Sequence, residues 1–327
     1  KQIEVTPLDQ WARGNLGQML VEWRKYKEAV PELEQAISLA PEQEMLHVSL
    51  GRAYLSLGEN EKSIKSFEEA LKLERSPVVL NNIAYFLAVK GVQLDRAVGY
   101  AESAVTSVAN ELRNVEASNL TIDDLRSVAS LAAYWDTLGW VYFQKGDLDA
   151  AEKYLKAAWT LQQHSEVGHH MGMVAEKRGN KEEAIRLYAQ GAVAERVMPE
   201  ARESLLKLTS ADAVEKLLEK ARKELPSYNR LELGSLMPNL DVPAEAEFFI
   251  VIAPDASRNA QVVDVKFIKG VDKLKGLGAQ LKAAKIPLVF PDASPTKIVR
   301  RGALQCLPKG GPCTFTMISP DMITSVD

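Results

Sequence analysis

Two cysteines among 327 residues are too few for a disulfide scaffold, and no apolar run reaches the roughly 20 residues of a membrane-crossing helix. A phosphate-cradling loop is missing, because Gly270, Gly276 and Gly278 do not form a strand-to-helix glycine fingerprint. Neither a Gly-x-Ser-x-Gly elbow nor a His-Glu-x-x-His helix occurs. The four histidines, His47, His164, His169 and His170, precede the cysteines by more than a hundred residues, so Cys306 and Cys313 have no nearby base in sequence. His169 and His170 are neighbours on an expected helix, where their side chains diverge by about 100°. No cysteine or carboxylate is read at ligand spacing around them, so no metal and no cofactor is expected. The chain is therefore read as non-enzymatic. No signal peptide opens it, and residue 1 is Lys rather than Met, as expected of a processed chain or a piece of a longer one.

Charge is unevenly divided. Residues 244–327 hold 11 Lys and Arg against 8 Asp and Glu, while the rest hold 29 against 36. An acidic N-terminal part argues against nucleic acid as a partner, and the small C-terminal excess is too weak to argue for it.

What is present is a recurring pair of helices. Leu16-Gly17 opens the first, with Ala29, Leu33, Ala36 and Pro41 following. Leu50-Gly51 opens the second 34 residues later, with Tyr54, Gly58, Phe67 and Ala70. Ile83-Ala84 opens the third, Leu138-Gly139 the fourth and Met171-Gly172 the fifth, the last again 33 residues on. A small residue at the opening position lets one helix approach its partner closely, and the large residues fill the space around it. The fourth copy reads Trp135-x-x-Leu138-Gly139-x-x-Tyr142, then Ala151 and Leu155, which resembles the tetratricopeptide pattern. That resemblance implies an α-α superhelix that holds a partner in its groove.

About 21 residues are inserted between the third and fourth pairs, around 107–131. Thr121 with Asp124 three residues later forms a helix-start signal, so the insertion reads as a lengthened helix plus a loop. Capping helices are expected over 200–225, a linker punctuated by Pro226, Pro238 and Pro243 over 226–243, and a second domain over 244–327. In that domain, short β-rich runs at Glu247–Ala253, Gln261–Ile268, Thr296–Leu307 and Thr314–Ser319 flank a leucine-spaced helix at Val271–Lys285. The fold class is thus mainly α, a tetratricopeptide superhelix over 1–225 followed by a small α+β domain of β-β-α-β-β order.

The C-terminal order resembles the C-terminal fold of TonB-like energy transducers, with Gly270–Leu274 as the helix start and Phe290-Pro291 as the step after it. The whole arrangement, with Tyr134–Tyr142 and Arg300-Arg301-Gly302, resembles the C-terminal portion of bacterial exported proteins that carry a transglutaminase-like domain. The resemblance implies a periplasmic or exported protein rather than a cytoplasmic one. Cys306 and Cys313 flank the loop Pro308–Pro312, and the arms of a hairpin can bring them within bonding reach. Bonded and free thiols both stay open. Lys297, Arg300 and Arg301 are read as charge protecting an edge strand, or as an acidic contact.

The face of the first helices is the candidate binding surface. By register it presents Asn15, Gln18, Ser49, Arg52, Asn81, Asn82, Tyr85, Asp136, Trp140, Gln144, His169, His170 and Met173. Amides pair with a peptide backbone, and Tyr85 and Trp140 offer apolar anchors. The expected function is a scaffold for an extended segment of a protein or peptide partner, with no integral membrane segment; the oligomeric state stays open. The alternatives are the accessory part of a larger transglutaminase-like enzyme, or an envelope assembly or energy-transduction component that binds by strand addition.

Overall fold

Helix pairs form where a glycine on one helix leaves room for a large side chain on the next. In a computed structural model of the chain, residues 9–237, 239–292, 295–323 and 325–326 are described. Pro238 lies outside them. The helices are α1 (Gln10–Glu22), α2 (Tyr26–Leu39), α3 (Glu44–Ser56), α4 (Asn60–Leu73), α5 (Pro77–Lys90), α6 (Leu94–Glu111), α7 (Ile122–Lys145), α8 (Leu148–Leu161), α9 (Ser165–Lys177) and α10 (Lys181–Gly191). They make five consecutive pairs. A Cβ added at Gly17 would meet Leu33 Cγ at 2.6 Å, and one at Gly139 would meet Leu155 Cγ at 2.7 Å. At Gly51 and Gly172 it would fall into the rings of Phe67 and Tyr188. Gly146 closes the turn after α7 with φ +86°, a left-handed conformation that side chains with a Cβ avoid.

Two compact units divide the chain. One holds residues 1–105 and 140–146, the other residues 106–139 and 147–327. The division therefore does not fall at the expected linker of 226–243, and that segment contains a strand, β1 (Arg230–Gly234). In the second unit the insertion runs through two 3-10 turns, Leu112–Asn114 and Ala117–Asn119. Thr121 Oγ1 then accepts from Asp124 N at 3.2 Å while Asp124 Oδ2 accepts from Thr121 N at 2.8 Å, the reciprocal cap read from the sequence. After α10 come α11 (Pro199–Leu208) and α12 (Ala211–Glu224), close to the expected capping pair.

The C-terminal sheet is antiparallel, in the order β1-β5-β4-β2-β3, with β2 (Ala244–Pro254), β3 (Ala260–Gly270), β4 (Ile298–Cys306) and β5 (Cys313–Met317). The expected helix over Val271–Lys285 is shorter. A 3-10 segment, Asp272–Leu277, leads into α13 (Gly278–Lys282), because Gly276 and Gly278 weaken a helix that Leu274, Leu277 and Leu281 would otherwise anchor. Cys306 and Cys313 are direct cross-strand partners on β4 and β5 and are joined by a disulfide.

Arg300 and Arg301 on β4, with Lys297 just before it, correct the edge-strand reading, since β4 lies between β2 and β5 in the middle of the sheet. Arg301 pairs with Glu247 on β2, through Nε at 2.9 Å and Nη2 at 2.7 Å, and Lys297 donates to the Val115 carbonyl at 3.0 Å. Arg300 is only 2% exposed. Its guanidinium donates to the Leu161 carbonyl at 2.7 Å, to Asn229 Oδ1 at 3.0 Å and to the Ile318 carbonyl at 3.2 Å. Leu161 ends α8, so the cation also meets the negative end of a helix dipole. Burial pushes this guanidinium down to about 10, against the pull of Glu195, and leaves it charged at neutral pH. Around it Gln162 Nε2 donates to Ser319 Oγ at 3.2 Å, and Asn229 Nδ2 donates to Gln163 Oε1 at 2.7 Å. The sheet is thus fastened to the end of α8 through largely buried polar groups.

Replacing Gly139 by Ala is expected to cost about 1–3 kcal/mol in a urea melt, since the new methyl meets the Leu155 backbone as well as its side chain. A melt identical to the parent's would mean the pair is looser than described. Arg300→Met keeps the volume and strands three acceptors, so a loss of about 2–4 kcal/mol is expected. Parental stability in that variant would show that the latch is dispensable.

Candidate functional site

In the first unit α1, α3 and α5 lie side by side, so their outward faces form one surface. Asn15 and Gln18 on α1 and Asn82 and Tyr85 on α5 are half-buried there, and Gln144 on α7 is half-buried as well. Arg52 on α3 pairs with Glu22 and lies over the Phe86 ring, 4.9 Å from its centroid. Tyr85 meets Phe86 edge-on at 5.9 Å. A cavity of about 420 Å³ opens beside them, with Arg24, Arg52, Tyr85, Phe86, Val89 and Lys90 in its wall.

Asn81 differs from its neighbours. It is 9% exposed, and its Oδ1 is buried with no hydrogen-bond partner. A buried amide oxygen without a donor costs free energy. Asn81 and Tyr85 are one turn apart on α5, on the same side of the helix.

Other expected groove residues are used internally. Ser49 is buried and donates to the Met45 carbonyl one turn back at 2.8 Å. Trp140 is 8% exposed and stacks on Phe143 at 5.2 Å, so most of its ring faces the packing rather than the surface. In the second unit Asp136 and His170 are buried against each other, His170 Nδ1 lying 2.9 Å from Asp136 Oδ1. Burial lowers the His170 imidazole, but the Asp136 carboxylate, helped by Glu166, lifts it above its ordinary value. His169 points elsewhere. Its Nε2 is 3.2 Å from Ser204 Oγ, its ring lies 5.6 Å from that of Tyr188, and burial beside His170 pushes it down to about 4. Met173 is half-buried on the same helix.

The expectation that no carboxylate stands near the histidines is corrected. Donor atoms of Asp136, Glu166 and His170 lie within 4.8 Å of one another, because Glu166 precedes His170 by one helical turn and Asp136 faces both from α7.

The tetratricopeptide repeat family model matches residues 12–43, 46–77 and 132–164, which cover the first, second and fourth helix pairs. Over those three stretches the chain matches tetratricopeptide repeats. A TPR repeat-containing protein of Methanocaldococcus jannaschii is 21% identical over 250 residues, covering 68% of this chain and 41% of the relative. The chain thus spans less than half the length of that relative. Among solved structures, PilF of Pseudomonas aeruginosa is 18% identical and covers 67% of this chain and 90% of its own, with a TM-score of 0.45. PilW, a type IV pilus biogenesis factor, is 16% identical and covers 67% and 92%, with a TM-score of 0.47. Among the described residues no helix is long and apolar enough to cross a membrane.

Arg24, Phe86, Val89 and Lys90 are wall residues that the repeat register did not select. Phe86 and Lys90 lie one and five positions beyond Tyr85, so following α5 one turn further would have found them.

Asn81→Leu is expected to raise stability by about 1 kcal/mol, because it removes a buried acceptor that nothing satisfies. A lower melting temperature in this variant would show that the amide is held by the fold itself.

Proposed function

We propose that the repeats of the first unit bind an extended segment of a protein partner along α3 and α5, as a scaffold rather than a catalyst. The observation that carries the reading is the cavity of about 420 Å³ walled by Arg52, Tyr85 and Phe86. Half-buried Asn82 shares α5 with Tyr85 and can both donate to and accept from a peptide backbone. Tyr85 and Phe86 offer an apolar wall for one side chain, while Trp140, stacked inside on Phe143, supports the surface from within. Pairing of the two cysteines with each other leaves neither as a thiol nucleophile, in keeping with a binding role. An extended ligand loses its own freedom on binding, so an affinity of roughly micromolar is expected.

The test is a peptide-array screen with the full chain, followed by titration of the best sequence. Asn82→Ala is expected to fold normally and to weaken binding by about 1–2 kcal/mol. Arg52→Ala should also weaken it, through loss of the cation above Phe86. If both variants bind as the parent does, this face is not the site, and strand addition at the outer edge of β1 takes its place.

A further inference from the structure

We propose that Asp136, Glu166 and His170 form a binding site for a first-row transition dication of the Zn²⁺ class, joining α7 to α9 within the second unit.

Three features of the geometry support it. Glu166 and His170 stand four residues apart on α9, which places both on one side of the helix, and Asp136 meets them from α7. Facing helices that contribute carboxylates and a histidine one turn apart are a known way to build a metal centre in a helical core. The three donor atoms already lie within 4.8 Å of one another, with His170 Nδ1 only 2.9 Å from Asp136 Oδ1. Bonds of about 2.0–2.2 Å to a tetrahedral Zn²⁺ need donors about 3.4 Å apart, so small side-chain rotations suffice.

Charge supplies the second argument. His170 is 5% exposed and Asp136 6%, so this is a buried cluster and not a solvated acidic patch. Two carboxylates face one imidazole, and among the described residues Asp136 has no ion-pair partner except His170. Two carboxylates and an imidazole gathered in one largely buried cluster offer a cation anionic donors that it would otherwise find in water.

The donor set also selects the class of ion. Ca²⁺ and Mg²⁺ prefer six or more oxygens, whereas an imidazole with two carboxylates and an open position suits Zn²⁺ or Co²⁺. Joining α7 to α9 would fasten the first helix of the fourth pair to the first helix of the fifth, whatever the repeats bind.

The full chain, stripped with a chelator and free of peptide, is titrated with Zn²⁺ by calorimetry and with Co²⁺ by visible absorption. One equivalent per chain is expected, with a dissociation constant at micromolar or below, cobalt bands of a low-coordinate site, and a higher melting temperature. Ca²⁺ and Mg²⁺ should bind at least a hundred-fold more weakly. His170→Ala should abolish the site. Because a buried substitution can also unfold the chain, Glu166→Gln is the second variant: nearly isosteric and half-buried, it should keep the parental circular dichroism. It should also lose more than the roughly ten-fold that an outer-shell partner is worth. His47→Ala, on α3, should bind as the parent does. A parent that takes up no Zn²⁺, a Glu166→Gln variant that binds Zn²⁺ like the parent, or equal affinity for Ca²⁺ overturns the proposal. None of these outcomes bears on the peptide-binding face, where metal is not invoked.

Discussion

Four of the five repeats depend on a place where a backbone comes so close to its partner helix that no side chain fits between them. Leu33, Phe67, Leu155 and Tyr188 each occupy the space that a Cβ on the opposing glycine would need. Close packing then forces the rest of the pair to agree. Ala29, Ala36, Ala70, Ala151 and Ala184 are fully buried because the second helix lies too near for anything larger. The first helices are left with one packed side and one outward side, and it is the outward side of α1, α3 and α5 that carries the polar and aromatic residues of the proposed binding face.

The C-terminal sheet is held by a different kind of force. Burying a guanidinium is unfavourable unless its donors find acceptors, and Arg300 finds three while leaving its Nε unpaired. The arrangement trades some stability for specificity of placement, because a hydrophobic contact could slide where three directed hydrogen bonds cannot. Ala117 N, which donates to Asp264 Oδ2 at 2.9 Å, adds a second polar fastening from the insertion. The insertion therefore acts as a support for β3, beyond its part in lengthening a helix.

Much of the helical part was legible in the sequence because its signals are local and periodic. Gly17, Gly51, Gly139 and Gly172 recur with their large partners at nearly fixed spacing, and Thr121 with Asp124 announced the start of α7. The sheet was legible as runs but not as an order. A strand carrying Lys297, Arg300 and Arg301 looks the same in sequence whether its cations face water or a helix end, and only the acceptors from distant segments distinguish the two. β1 is five residues long, and its alternation over Arg230-Leu231-Glu232-Leu233 lies within the Pro-punctuated segment read as a linker. At the candidate site the register proposed Arg52, Asn81, Asn82 and Tyr85 for the binding face, and of these Asn81 is buried. It could not tell that Ser49, Asp136, Trp140 and His170 spend their polar or aromatic groups inside the packing. Glu166 was visible four residues before His170, but its relation to Asp136 depends on how α7 meets α9.

The partners of Arg300 also impose an order of events on the newly made chain. Its three acceptors are 139, 71 and 18 residues away in sequence, and the farthest, the Leu161 carbonyl, belongs to a helix made long before β4 exists. Helix pairs built from contacts within about 34 residues can form as they are synthesised, whereas closing a loop of that length comes late and slowly. Until then the last turn of α8 and the polar groups of Gln162 and Gln163 stay open to water. The finished molecule thus joins helix pairs closed by local contacts to a strand, β4, that is held by partners far away in the sequence.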